Sequence, residues 1–328
     1  MRLIDLHVDW LLQYAGESTI FDPGEFPDVA NWIGQADGYL GATSAAILAC
    51  YRNDADWARR ADPWEGLEQL VTRIEAEFPG RVLRDPEDLV RWRDDPEGLT
   101  WAVIGVEGFD RLLRDESDLA RLPDLLRRGV RLFQPTYTAS SLMAGSSAPG
   151  DDRGLLDLGR RFLETLAGLS GTGPRPILDL AHLNPRASGE VLAWFEADTG
   201  RARRLIPAYS HGFLARPGIE GHRGLTPEAL ARLRALGGVV GLTPAFYDSA
   251  EAFGRALESA AAVPFLGREG FDGVCIGTDI LGVDRNPPGL GTAPEVVAWA
   301  ASTFPPDVAS ALLRDNARRL IEQAVGGA

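Results

Sequence analysis

The sequence predicts an α/β fold, a (β/α)8 TIM barrel formed as one domain over residues 1–328, on three observations. Eight short apolar runs recur along the chain, helix-like segments separate most of them, and no Gly-rich dinucleotide fingerprint follows the first run. The strand candidates are Leu3–Val8, Ala45–Tyr51, Thr100–Val106, Val130–Thr136, Pro176–Ala181, Leu205–Ser210, Gly238–Thr243 and Gly273–Gly277. Eight βα units fit a closed barrel better than an open doubly wound sheet.

The helices announce themselves by their starts. Asp62-Pro63-Trp64-Glu65 has a capping aspartate, a proline at the first helical position and a glutamate at the third. Asn184-Pro185 and Thr226-Pro227-Glu228 repeat that cap-then-proline logic. Leu155–Leu169 and Val308–Ala324 carry apolar residues at helical spacing. Residues 10–43, 140–153 and 248–268, after strands one, four and seven, are expected to rim the mouth of the barrel.

Composition narrows the partners. A net charge of −14 argues against nucleic acid or an anionic membrane surface. No apolar stretch approaches the length of a membrane span, and the N-terminus runs directly into a strand, so a soluble cytoplasmic protein is expected. Cys50 and Cys275 lie within apolar strand-like runs and read as two buried thiols.

The chain has four histidines and no lysine. Three of the histidines, His7, His182 and His211, end apolar runs. Barrels of the metal-dependent hydrolase type collect their ligands at the C-terminal ends of strands, and many two-metal versions bridge the ions with a carboxylated lysine. Here a bridge must be a carboxylate, and Glu107 stands at the end of strand three. His7 and Asp9, two residues apart, face one way on a strand and can grip one ion together. With Glu107 bridging, His182 and His211 remain for a second. Imidazole and carboxylate donors suit Zn²⁺ and similar divalent ions. Two such ions about 3.5–4 Å apart hold a shared hydroxide and polarise a carbonyl.

These residues carry a resemblance. The chain resembles the membrane (renal) dipeptidase family, zinc-dependent peptidases of the amidohydrolase superfamily, from Asp5 to about Asn316. Asp5-Leu6-His7-Val8-Asp9 is similar to that family's D-G-H-x-D opening, with Leu6 in place of glycine. Related amidohydrolases generally open with H-x-H. Gly105-Val106-Glu107-Gly108 resembles the bridging-glutamate segment, Leu178-Asp179-Leu180-Ala181-His182 the D-L-S-H segment, and Pro207-Ala208-Tyr209-Ser210-His211 the P-x-x-x-S-H segment with one residue fewer between proline and serine. Gly129-Val130-Arg131, Arg223-Gly224-Leu225-Thr226 and Ile276-Gly277-Thr278-Asp279 fall at further landmarks.

The resemblance implies two Zn²⁺ per chain and a dipeptide-sized substrate. His7 and Asp9 would bind the first zinc, Glu107 would bridge, and His182 and His211 would bind the second. Asp279 would move a proton from the attacking water to the leaving amine. Arg223 would pair with the substrate carboxylate, a bidentate task that suits guanidinium. Family members are often dimers. One departure stands out: Tyr137 occupies the position of a family histidine near the scissile carbonyl, where its phenol can line the pocket or donate to the oxyanion. That change leaves another small amide, a cyclic imide or a lactone as alternative substrates. A non-catalytic ligand-binding barrel is the reading from another class, and the intact ligand set counts against it. Asp179 reads as structural and His222 as a solvated loop histidine.

Overall fold

The computed structural model describes residues 1–15, 20–21, 34–53, 62–95, 98–137, 139–170, 173–215 and 224–326. Eight strands make one sheet in sequence order: β1 (Leu3–Val8), β2 (Thr43–Cys50), β3 (Trp101–Val106), β4 (Val130–Phe133), β5 (Ile177–Asp179), β6 (Ile206–Tyr209), β7 (Val239–Leu242) and β8 (Val274–Ile276). All seven neighbouring pairs are parallel. The ring closes where Val8 bridges Ile280, the Asp279 N–H donates to the His7 carbonyl (2.9 Å), and the Asp9 N–H donates to the Ile280 carbonyl (3.1 Å). The barrel is therefore the architecture the apolar runs predict, and every strand is buried along nearly its whole length, as parallel strands covered on both faces must be.

Helices on the outside return the chain between strands. They are α1 (Pro63–Glu77), α2 (Pro86–Arg93), α3 (Leu122–Arg127), α4 (Asp157–Leu169), α5 (Pro185–Glu196), α6 (Pro227–Ala235), α7 (Ala250–Ala261), α8 (Ala293–Thr303), α9 (Pro306–Ser310) and α10 (Asn316–Gly326). The expected caps form. Asp62 accepts from the Trp64 N–H, Asn184 from Ala187 and Thr226 from Ala229, each ahead of a proline that has no N–H to leave unsatisfied. A π-helical turn, Ala311–Asp315, joins α9 to α10, so the predicted Val308–Ala324 helix is real but interrupted.

One expectation is corrected. Residues 248–268 are not a rim loop: Ser249 caps α7 by accepting from the Ala252 N–H, and Phe253, Leu257 and Ala260 bury one face of it. Residues 140–153 do run over the rim as a loop, and residues 10–43 hold short helical turns at Trp10–Tyr14 and Tyr39–Ala42.

Two apolar cores follow from the alternation of the strands. Outward side chains such as Leu48 and Ile104 pack under the helices. Inward ones, including Leu6, Ile47, Leu132, Ala208 and Cys275, fill the barrel and meet Leu320 and Ile321 of α10 at its N-terminal end. Both cysteines are buried and free, and burial pushes the Cys50 thiol up to about 12. Small residues let strand ends approach: a Cβ on Gly277 would lie 2.0 Å from the Ser210 carbonyl oxygen. Among the described residues no helix is long and apolar enough to cross a membrane.

Candidate metal centre

The parallel sheet delivers the C-terminal end of every strand to one rim. His7 is the penultimate residue of β1 and Asp9 follows it; Glu107 directly follows β3; His182 and His211 stand just beyond β5 and β6; Asp279 lies three residues past β8. All six are nearly inaccessible, His7 completely so. Three overlapping groups have donor atoms within 4.8 Å of one another: His7, Asp9 and Glu107; Glu107, His182 and His211; and His7, His211 and Asp279.

Glu107 is common to the first two groups, and its two oxygens divide between them. Oε2 lies 3.6 Å from His7 Nε2, which is in turn 3.8 Å from Asp9 Oδ2. Oε1 lies 3.1 Å from His182 Nε2 and 3.6 Å from His211 Nε2. Those two imidazole nitrogens are 3.0 Å apart. Asp279 Oδ1 is 3.9 Å from His7 Nε2.

The charge pattern asks for cations. Three carboxylates share a buried space in which the bases are imidazoles. Burial alone would pull His7 down, but Glu107 and Asp9 beside it outweigh burial and hold it well above the usual range. Burial would raise Glu107, yet His7 and His182 hold it well below. Asp9 is pushed up by burial and by Glu107. Among the described residues His7 Nδ1, His7 Nε2 and Asp9 Oδ1 are buried with no hydrogen-bond partner. Leaving such atoms unsatisfied costs roughly 1–3 kcal/mol each, and bound divalent ions would satisfy a donor set of this chemistry. The residues fit such ions.

Behind the donors lies a second layer. Asp179 Oδ1 accepts from the Ser210 N–H (2.8 Å) and the Ala181 N–H (3.1 Å), and its Oδ2 accepts from the Ser210 hydroxyl. Ser210 Oγ is 2.8 Å from His211 Nδ1. Asp5 does the same across the barrel seam. Its Oδ1 accepts from the His7 N–H (3.2 Å) and the Thr278 N–H (2.9 Å), and its Oδ2 from the Thr278 hydroxyl (2.6 Å) and the Tyr39 hydroxyl (2.8 Å). Burial raises both aspartates above the usual carboxylate range, and these hydrogen bonds offset only part of that rise. Asp179 is thus structural, as expected. The role of Asp5 went unread, although each aspartate precedes a histidine donor by two or three residues.

His182 and Asp279 both hold left-handed backbone, at φ 63° and 56°. Neither is glycine, so the surroundings must enforce the conformation. Around His182 the rim loop does so. The Ser147 N–H donates to the His182 carbonyl (2.7 Å), the Asn184 N–H donates to the Gly145 carbonyl (3.1 Å), and Asn184 Nδ2 donates to the Arg153 carbonyl (2.9 Å). The bend that carries Asp279 returns its chain against the site. A Cβ on Gly282 would fall 2.0 Å from Asp9 Oδ2 and 2.6 Å from Asp279 Oδ1. Sequence reasoning missed Gly282, since close approach leaves no pattern along a chain.

Tyr137 is at the same mouth. Its ring stacks on His182 with centroids 4.4 Å apart, the Arg111 guanidinium lies 4.2 Å from its centroid, and its phenol shares a hydrogen bond with Tyr51. Arg223 and His222 lie outside the described residues. Arg131, a landmark in the sequence, is a buried strut: its Nη1 donates to the Leu126 and Val130 carbonyls (2.7 and 2.9 Å).

No protein-family model matches the chain. Among curated proteins, the ribosomal RNA large subunit methyltransferase H of Cereibacter sphaeroides is 40% identical over 76 residues, 20% of this chain and 48% of that protein. The chain thus spans about half the length of the curated relative it matches. Solved structures align over the whole barrel. Dipeptidase AC, a metallopeptidase of family M19, superposes with a TM-score of 0.73 at 20% identity, covering 100% of this chain and 99% of that one. A metallopeptidase from Rhodobacter sphaeroides, liganded with a phosphinate mimic of the dipeptide L-Ala-D-Ala, superposes at 0.71 and 20%, covering 99% of each. An amidohydrolase from Pseudomonas aeruginosa gives 0.69 and 17%, over 98% of this chain and 96% of that one. At these identities the likeness establishes a shared fold.

Proposed function

We propose that this chain is a metal-dependent hydrolase of small amides, a dipeptidase that works at a binuclear zinc site. The observation that carries the reading is the division of Glu107: one oxygen faces His7 and Asp9, the other faces His182 and His211. His7, Asp9 and Glu107 would hold one ion, and Glu107, His182 and His211 the other. When bound, such ions activate a water as nucleophile near neutral pH and polarise the carbonyl it attacks. The metallopeptidase with a dipeptide mimic, sharing this fold, supports a dipeptide-sized substrate.

The other roles belong to this chain's own side chains. Water oxygen bonds to the peptide carbon, the C–N bond breaks, and the amine leaves with a proton. Asp279, beside His7 at the buried mouth, receives the proton from water and delivers it to nitrogen. The Tyr137 hydroxyl, on a ring stacked against His182, donates to the carbonyl oxygen as its charge grows. Arg223 anchors the substrate carboxylate.

A second reading, hydrolysis of another small amide, a cyclic imide or a lactone, is favoured by Tyr137, because a phenol differs in reach and charge from an imidazole. The test is a panel of dipeptides with L- and D-configured C-terminal residues, offered to zinc-reconstituted protein and to His211→Ala. Zinc-dependent cleavage lost in the variant is expected. No cleavage of any dipeptide with two metals bound would move the substrate to the second reading. Failure to bind divalent metal would sink both.

A further inference from the structure

The N-terminal end of a barrel ordinarily serves stability, while chemistry gathers at the other rim. Here that end is hollowed. A cleft of about 500 Å³ lies where β6 and β7 begin, bounded by the turn before β8 and by α10. Among the described residues four arginines line it, Arg175, Arg203, Arg268 and Arg319, and no acidic side chain does. In a chain of net charge −14 this is a local inversion of sign.

Internal pairing takes up only part of this donor set: Arg175 Nη2 donates to the Ala202 carbonyl (2.7 Å) and Arg319 Nη2 to Asn316 Oδ1. The exposed Arg203 side chain has no partner among the described residues, and none is found for Arg175 Nε, which is buried. Arg319 and Arg268 share a single carboxylate, Asp272, at 3.1 and 3.7 Å, and both remain half or more exposed. Between the charges the wall is apolar, with Leu236, Val239, Phe265 and Leu320.

The lip of the cleft is rigid before anything binds. Arg234 is fully buried and gathers the turn around itself, donating to the carbonyls of Val263 (2.6 Å), Gly270 (2.9 Å) and Asp272 (2.9 Å), with its guanidinium 5.5 Å from the Phe265 centroid. Preorganised walls reduce what a ligand must spend on ordering. The volume suits a small organic molecule, and forked guanidinium donors suit planar or tetrahedral oxyanions.

We propose that this cleft is a ligand site separate from the metal-ligand cluster, which takes a small organic oxyanion, carboxylate or phosphate, carried on an apolar stem. The barrel's packed interior lies between the two sites, so the cleft does not depend on the hydrolase reading.

Calorimetric titration of the zinc-loaded full chain with hexyl phosphate and with octanoate tests it, repeated on Arg203→Glu, Arg175→Gln and His211→Ala. The expected result is one probe bound per chain, affinity lowered roughly tenfold or more by either arginine change, and no change in His211→Ala. The tighter of the two probes identifies the headgroup. Arg203 is exposed, so its variant keeps the fold, and an unchanged thermal melt verifies that. Three results overturn the proposal: neither probe binding at millimolar concentration, binding indifferent to both arginine changes, or binding abolished in His211→Ala. A self-associating protein that Arg203→Glu dissociates, with no probe bound, would make this face a subunit contact and also overturn it.

Discussion

Ser210 has one hydroxyl proton, and its destination decides what His211 can do. It goes to the Asp179 carboxylate. Ser210 Oγ can then only accept from His211 Nδ1, which leaves the lone pair on Nε2, the nitrogen that faces Glu107 and His182. Replacing Ser210 by alanine frees the ring to take the other tautomer. Zinc affinity is expected to fall 10- to 100-fold, read by competition with a chromophoric chelator; unchanged affinity would mean the relay is idle. Asp279→Asn is the complementary substitution. Asparagine tolerates the left-handed backbone that Asp279 holds, so the change tests proton transfer rather than folding. Retained metal with turnover reduced about 10²- to 10⁴-fold is expected, by metal analysis and single-turnover assay. Undiminished turnover would remove Asp279 from the reaction. The side chains that converge at the rim were legible in the sequence because they end apolar runs. Their supports were less so, because Asp5 meets Thr278 across 273 positions of chain, and no local pattern encodes that meeting.

All eight strands were legible as elements, and the reason is burial on both faces, which writes each as a continuous apolar run. Helices with a cap and proline at their start were equally plain. The segment after β7 was not read as a helix, although Ser249, its many alanines and the spacing of Phe253, Leu257 and Ala260 are the proper signals. Neither the left-handed bends at His182 and Asp279 nor the fold of the rim loop onto Asn184 is visible in periodicity, since each arises from contacts between separate turns. The bend after β8 makes its own prediction. Gly282→Ala drives a methyl against Asp9 and Asp279, so weakened metal binding with near-normal far-ultraviolet dichroism is expected. Wild-type metal affinity in that variant would show that the bend yields freely.

At the scale of the whole molecule the ions would act as ligands of the folded state alone. Chelation is expected to lower the melting temperature, because a ligand present at a thousand times its Kd adds about 4 kcal/mol to stability. Scanning calorimetry with and without chelator measures this, and coincident melts would mean that metal and fold are uncoupled. The barrel was predictable as a whole because eight units in sequence order leave few other ways to bury parallel strands. The arginine-lined hollow at its far end was not, since it collects residues from five separate stretches of chain.

The seam between β1 and β8 also dictates when the centre can exist. His7 and Asp9 are made well before the groups that hold them, Thr278 against Asp5, the Asp279 N–H on the His7 carbonyl and Gly282 against Asp9. A nascent chain carries these two side chains without the frame that aims them until β8 and the bend beyond it have been made. Any metal would then meet a complete donor set only after the ring is shut by contacts such as Asp5 with Thr278, 273 positions apart.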